Sequence, residues 1–144
     1  MIFRNFSLYL LLIFPIFLSI FTYSLAGERV YIQNSSYSVI AYIEADGTLY
    51  SNSNKVMGYI NRDGSILNSS YSGIGYIEPD GRILNSSYKK IAYLHTDGSL
   101  LNSSYEPVYY INSGYVTAPS HSTVLYFDEP VSKRWIAAFL MFFY

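Results

Sequence analysis

Tyr71-Ser72-Gly73-Ile74-Gly75-Tyr76-Ile77-Glu78-Pro79-Asp80-Gly81-Arg82-Ile83-Leu84-Asn85-Ser86-Ser87 is the cleanest copy of a unit that recurs along the chain, and Tyr88 begins the next copy. Its Asp-Gly pair returns at Asp46-Gly47, Asp63-Gly64 and Asp97-Gly98, with a step of 17 residues each time. A fixed period of this kind marks a repeat architecture, in which each unit buries its apolar surface against its neighbours.

Each unit reads as a β-hairpin. The first arm is Ile40 to Ile43, Met57 to Ile60, Ile74 to Ile77 and Ile91 to Leu94; the second is Leu49-Tyr50, Ile66-Leu67, Ile83-Leu84 and Leu100-Leu101. Short β-branched and aromatic runs between turn signals favour strands. In Glu78-Pro79-Asp80-Gly81 the proline presets φ for the first central position of a type I turn, and Gly81 suits a left-handed bulge residue. A two-residue Asp-Gly loop would instead leave Pro79 in a strand without a donor.

Side chains alternate along a strand. One face of the first arms carries Ile40/Tyr42, Met57/Tyr59, Ile74/Tyr76, Ile91/Tyr93 and Val108/Tyr110; the other carries Ala41/Ile43, Gly58/Ile60, Gly75/Ile77 and Ala92/Leu94. Both faces are apolar, so hairpins must stack or circle to bury them. The small column marks a place of close approach, such as the middle of a ring. Arg29–Gln33 is a second arm without its first, and Val108–Ile111 is a fifth first arm whose turn, Asn112-Ser113-Gly114, lacks the Asp-Gly. The expected fold is therefore all-β, a closed ring of about five hairpins in which Arg29–Gln33 pairs with Pro107–Ile111. Closure removes the exposed edges that invite aggregation. The second link, Ser51-Asn52-Ser53-Asn54, departs from Asn-Ser-Ser-Tyr and reads as drift at a surface loop.

The chain divides into residues 1–26, an export signal; residues 27–117, the hairpin domain; and residues 118–144, holding a loop-like Ala118–Ser122, a last strand at Thr123–Phe127 and an apolar tail. The tail, Trp135–Tyr144, falls well short of the roughly 20 residues of a spanning helix. It reads as a core element packed on the hairpins; the competing reading is a peripheral membrane or envelope-protein contact.

The repeated Gly75-Tyr76-Ile77-Glu78-Pro79-Asp80-Gly81-Arg82-Ile83, joined to the ending Lys133-Arg134-Trp135-Ile136-Ala137-Ala138 and its aromatics, resembles the five-fold β-flower proteins, small exported bacterial proteins. The likeness runs from Val30 to Tyr144. It implies a ring of hairpins about a pseudo-five-fold axis and no established activity. The missing Asp-Gly near Asn112 and the apparent insertion Ala118–Phe127 depart from the pattern.

The residues give little footing for catalysis. There is no cysteine, hence no disulfide framework or thiolate metal site. A net charge of −1 with no basic patch offers nothing to nucleic acid. The acidic pairs Glu44/Asp46 and Glu78/Asp80 alternate with Asn61 and His95 at equivalent places, so turn chemistry explains them better than calcium. His95 and His121 stand in turn and Ser-rich contexts with no converging nucleophile. No cofactor and no enzyme activity are expected. The Asn-Ser-Ser links match a glycosylation sequon, but in a bacterium they are polar connections between hairpins. The one feature able to carry binding is the column Tyr42, Tyr59, Tyr76, Tyr93 and Tyr110, with a second, outer set at Tyr37, Tyr71, Tyr88 and Tyr105. Tyrosines in repeats otherwise pack. The expectation is an exported, non-enzymatic structural or interaction module of the bacterial envelope, the alternative being a carbohydrate-like ligand held by the tyrosine column.

Arg4, the apolar run Leu8–Phe21 and Ser24-Leu25-Ala26 make the three parts of a secretory signal, with cleavage before Gly27 and delivery to the periplasm or beyond. A retained anchor is the alternative, since the apolar run approaches span length. The intact mass of exported protein decides between them: it should begin near Gly27, and a mass that includes Met1–Ala26 would show an anchor.

Overall fold

A computed structural model of the chain describes residues 29–144, so the signal segment read at Met1–Ala26 lies outside the described residues. The strands are β1 (Val30–Asn34), β2 (Val39–Ile43), β3 (Thr48–Ser51), β4 (Val56–Ile60), β5 (Ser65–Asn68), β6 (Gly73–Ile77), β7 (Arg82–Asn85), β8 (Lys90–Leu94), β9 (Ser99–Asn102), β10 (Pro107–Ile111), β11 (Tyr115–Thr117) and β12 (Thr123–Phe127). Helix α1 (Lys133–Phe142) follows. Sequence neighbours pair antiparallel all the way round, and β1 pairs with β12, so the sheet is a closed barrel.

The ring closes through a different pair from the one expected. Arg29–Gln33 does not meet Pro107–Ile111: Ile32 stands opposite Phe127 and Asn34 opposite Leu125, while β10 lies between β9 and β11. The reason is the stretch read as an insertion. Ala118–Ser122 folds as one more link, with His121 N–H donating to Ala118 O at 2.9 Å, and Thr123–Phe127 is one more first arm. The Asn112–Tyr115 turn is tighter than the Asp-Gly turns, which puts this copy out of step with the period. Five hairpins (β2/β3, β4/β5, β6/β7, β8/β9, β10/β11) are thus each joined by a turn, and the two ends of the barrel sequence, β12 and β1, supply the closing pair. Asp128 seals that seam, its carboxylate accepting Tyr31 N–H at 2.7 Å.

The Asp-Gly turns have the geometry expected of a type I turn with a bulge. Gly81 N–H donates to Glu78 O at 3.0 Å, Glu78 N–H to Arg82 O at 2.9 Å, and φ of Gly81 is +95°. A Cβ there would run into the carbonyl oxygen of Leu94 on the next unit. Glycine is therefore required twice over, by its φ and by its neighbour. That close neighbour also bonds: Gly81 O accepts from Leu94 N–H at 2.8 Å, as Gly64 O does from Ile77 and Gly98 O from Ile111. Each turn fastens its hairpin to the next.

The lumen face carries Ile32, Ile43, Leu49, Ile60, Ile66, Ile77, Ile83, Leu100, Ile111, Val116 and Leu125, all essentially without solvent contact. They form one core with Ile136, Ala137, Ala138, Phe139 and Leu140 of α1, which occupies the barrel's interior. A barrel's bore widens with strand number, and one of about eleven strands already encloses a helix. The small column faces this helix. A Cβ on Gly58 would strike the Phe143 ring, and one on Gly75 the Phe142 ring. The column makes room for aromatic side chains of the tail rather than for meeting backbones at a ring centre. It ends at Tyr109, whose phenol burial pushes above its ordinary pKa.

The tail therefore packs inside the hairpin domain through Ile136–Leu140, with Tyr144 exposed at its end. No helix among the described residues is long and apolar enough to cross a membrane. The strands, at three to five residues, are also well short of the roughly 9–11 that a spanning strand uses.

This packing makes two glycines of one strand unequal. A methyl at Gly75 meets the Phe142 ring, whereas one at Gly73 meets open space. Gly75→Ala should destabilise by about 1–3 kcal/mol through overpacking, Gly73→Ala should stay within about 0.5 kcal/mol of the parent, and Phe139→Ala should cost about 3–5 kcal/mol. Denaturant melts of the three variants check this; equal effects at Gly73 and Gly75 would contradict the packing.

Candidate functional site

The barrel has two unlike ends. At one end stand the Asp-Gly turns around the start of α1. Ser132 caps the helix, its hydroxyl accepting Arg134 N–H at 3.3 Å. Lys133 donates to Asp97 O at 3.3 Å, Arg134 donates to Ile77 O, and the Trp135 ring lies over Gly47. Three consecutive side chains thus reach three different turns. Cations are unfavourable at a helix N-terminus, and here a turn carbonyl (Asp97) and a strand-end carbonyl (Ile77) receive them. A shallow cleft of about 280 Å³ beside Trp135 is lined by Ile60, Arg62, Ile77 and Arg134. The turn aspartates are used locally. Asp63, Asp80 and Asp97 accept the backbone N–H two residues on at 2.8, 3.1 and 2.8 Å. Those bonds hold the three carboxyls below the usual carboxylate pKa.

At the other end stand the links, and they repeat the same turn with a different residue. In Asn34-Ser35-Ser36-Tyr37, Tyr37 N–H donates to Asn34 O at 2.9 Å and Asn34 N–H to Ser38 O at 3.0 Å. The Asn34 side chain accepts from Ser36 and Ser38 N–H at 2.9 and 3.0 Å. The residue in Gly81's role is Tyr37, with φ of +61°. Tyr71, Tyr88, Tyr105, Asn54 and His121 take the same left-handed conformation. For a residue with a Cβ this costs roughly 1–2 kcal/mol. Asn54, read as drift, is the substitute that tolerates this backbone best, and Ser51 replaces the missing Asn by accepting Lys55 N–H at 3.2 Å.

Three of the strained residues stack on first-arm tyrosines on the outer wall. Tyr71 stacks on Tyr59 at 4.4 Å, Tyr37 on Tyr126 at 4.5 Å across the seam, and His121 on Tyr110 at 6.4 Å. Asn54 accepts the Tyr42 hydroxyl at 3.0 Å. Lys90 sits 4.0 Å over the Tyr105 ring and donates to its hydroxyl at 2.7 Å. The outer set stays open to solvent: Tyr37, Tyr71, Tyr88 and Tyr105 are 65, 69, 80 and 62% exposed.

The five column tyrosines come together on the outer wall, in neither of the arrangements the sequence offers. They do not pack against the tail, which lies across the sheet from them, and they line no single concave face. Tyr42 is buried at 6% exposure, stacked on Tyr50 at 4.9 Å with Arg29 over its ring; Tyr59, Tyr76, Tyr93 and Tyr110 are half-buried. The pairing with left-handed partners is the part that sequence reasoning missed. A 12-residue offset links Tyr59 to Tyr71 and Tyr42 to Asn54, but the same offset from Tyr76 to Tyr88 and from Tyr93 to Tyr105 gives no stack, so spacing alone is an incomplete signal. His95 pairs with Asp97 at 3.2 Å at the turn end, while His121 lies at the link end. Among the described residues no three His, Asp or Glu side chains gather as metal ligands.

A barrel of hairpin repeats stoppered by its own C-terminal helix is the class that this geometry defines. The family model described as 5-fold beta-flower protein matches residues 28–144, and the chain belongs to that family. No curated protein and no solved structure matches it.

The left-handed tyrosines differ in what offsets their strain. Tyr71 has a stacking partner, worth about 0.5–1.5 kcal/mol, and Tyr88 has none among the described aromatic pairs. Tyr88→Gly should raise stability by up to about 1 kcal/mol, and Tyr71→Gly should change it little or lower it. Equal shifts in paired thermal melts would show that stacking does not offset the backbone cost.

Proposed function

We propose that the protein is an exported, non-enzymatic interaction module of the bacterial envelope whose working surface is the link end and outer wall of the barrel. The observation that carries this is where the aromatic side chains are spent. The lumen, the usual place for a ligand in a barrel, is filled by α1. Four tyrosines stand largely exposed at one rim on backbone that costs free energy to hold. Exposed aromatics on rigid turns are a recognition surface at low entropic cost.

A specific feature favours carbohydrate as the second, sharper reading. The wall offers flat rings beside uncharged amides and hydroxyls of the Asn-Ser-Ser links, a composition suited to a polar ligand with apolar faces.

Replacing Tyr37, Tyr71, Tyr88 and Tyr105 together by glycine tests the module. The variant should keep the parent's far-ultraviolet spectrum and a cooperative melt. Co-sedimentation of the mature protein with purified peptidoglycan sacculi should fall to background. Undiminished sedimentation of a folded variant would place the working surface elsewhere.

A further inference from the structure

The left-handed link residues form a series in which one member is unlike the rest. Tyr37, Tyr71 and His121 stack on a first-arm tyrosine, Asn54 is bonded to one, and Tyr105 is covered by Lys90. Tyr88 is the most exposed of the four tyrosines, and no ring stacks on it among the described aromatic pairs. Its counterpart Tyr76 is held elsewhere, its hydroxyl donating to Asp63 O at 2.7 Å. Between the two rings lies an open slot of about 220 Å³, floored by Leu67 and Gly73 and edged by Asn85 and Ser86.

Gly73 is what opens the floor. A Cβ added there meets nothing within 4 Å. At the equivalent place the preceding units carry Val39 and Val56, and the following one Lys90. The slot is thus a local departure from a repeat that elsewhere fills this position with a side chain.

The lining has no charged side chain. The Asn85 side-chain oxygen accepts Ser87 and Lys89 N–H, both at 3.0 Å, which leaves its amide N–H₂ as the side chain's remaining donor. Ser86 and Tyr88, which carry hydroxyls, line the same slot. Aromatic faces attract the C–H face of a ring, while neutral donors and acceptors at the rim suit hydroxyls. The volume lies below the roughly 300–1,000 Å³ of pockets for drug-sized ligands, which matches a single ring.

We infer that the Tyr76–Tyr88 slot binds one hexopyranose residue of a neutral glycan, its C–H face against the tyrosines and its hydroxyls toward Asn85 and Ser86. This rests on reading the outer wall as the working surface, and it narrows that surface to one unit.

The test is a titration of the mature protein with two soluble probes, the tetramer of β-1,4-linked N-acetylglucosamine and maltotetraose, followed by amide ¹H–¹⁵N chemical shifts. At least one probe should give saturable shifts confined to Gly73, Gly75, Ser86 and Tyr88. Gly73→Val, which copies Val39 and Val56 and so keeps the fold, should weaken binding at least about tenfold. Tyr88→Gly should do the same, and Tyr71→Gly should not. No saturable shift with either probe, or shifts that survive Gly73→Val, would overturn the assignment. Sacculus sedimentation separates this outcome from failure of the module itself. Sedimentation lost in the four-tyrosine variant, together with no saturable probe shifts or shifts that survive Gly73→Val, would sink the slot and leave the module standing; sedimentation absent from the parent would sink both.

Discussion

The fold depends on one act of filling: a ten-residue apolar helix packed inside a ring of very short strands. Twelve strands of this kind enclose a bore that their own side chains do not close. Without α1, the apolar residues of the lumen face would line an open hole, at roughly 25 cal/mol per Å² of surface exposed. The repeat is tuned to its occupant. Glycine stands at positions 58 and 75 because the Phe143 and Phe142 rings come there. Lys133, Arg134 and Trp135 then splay at the mouth to three separate turns, fixing the helix against rotation and sliding.

The same turn serves the links and the four Asp-Gly ends, and the residue in its left-handed position decides what each end is for. At the mouth that residue is glycine. It packs against the next unit's carbonyl and accepts its N–H, so these turns are spent on holding the ring together. At the other end it is tyrosine in four of the links, asparagine in one and histidine in one. The backbone cost there is offset by stacking on the outer wall, and a rim of exposed rings results. Stability is concentrated at one end and chemical display at the other.

How much of this could be read in advance follows from the kind of signal each feature leaves. The hairpins, the bulged Asp-Gly turns and the closure of the sheet rest on local chemistry repeated at a fixed step, and Pro79 alone chooses the turn type. The closing pair escaped because the last copy keeps the geometry while losing the letters: Ala118-Pro119-Ser120-His121 folds like Asn-Ser-Ser-Tyr with no shared residue except one serine. The helix escaped because Trp135–Tyr144 is apolar on every side, so no period of 3.6 shows through. Its burial was legible from composition, its location was not. The stacked tyrosine pairs join residues at unequal separations, Tyr59 with Tyr71 but Tyr37 with Tyr126 across the seam, so no single spacing in the sequence announces them.

The central claim is that α1 and the barrel are one cooperative core rather than a domain with an attached tail. Native-state hydrogen exchange tests it most directly, because it reports the free energy of opening at each amide. The account predicts that the amides of Phe139 and Leu140 are as strongly protected as those of Ile60, Ile77 and Ile111, all exchanging through global unfolding with the same denaturant dependence. Helix amides that exchange far faster than these strand amides would contradict it, by showing a barrel that holds together while its helix comes and goes.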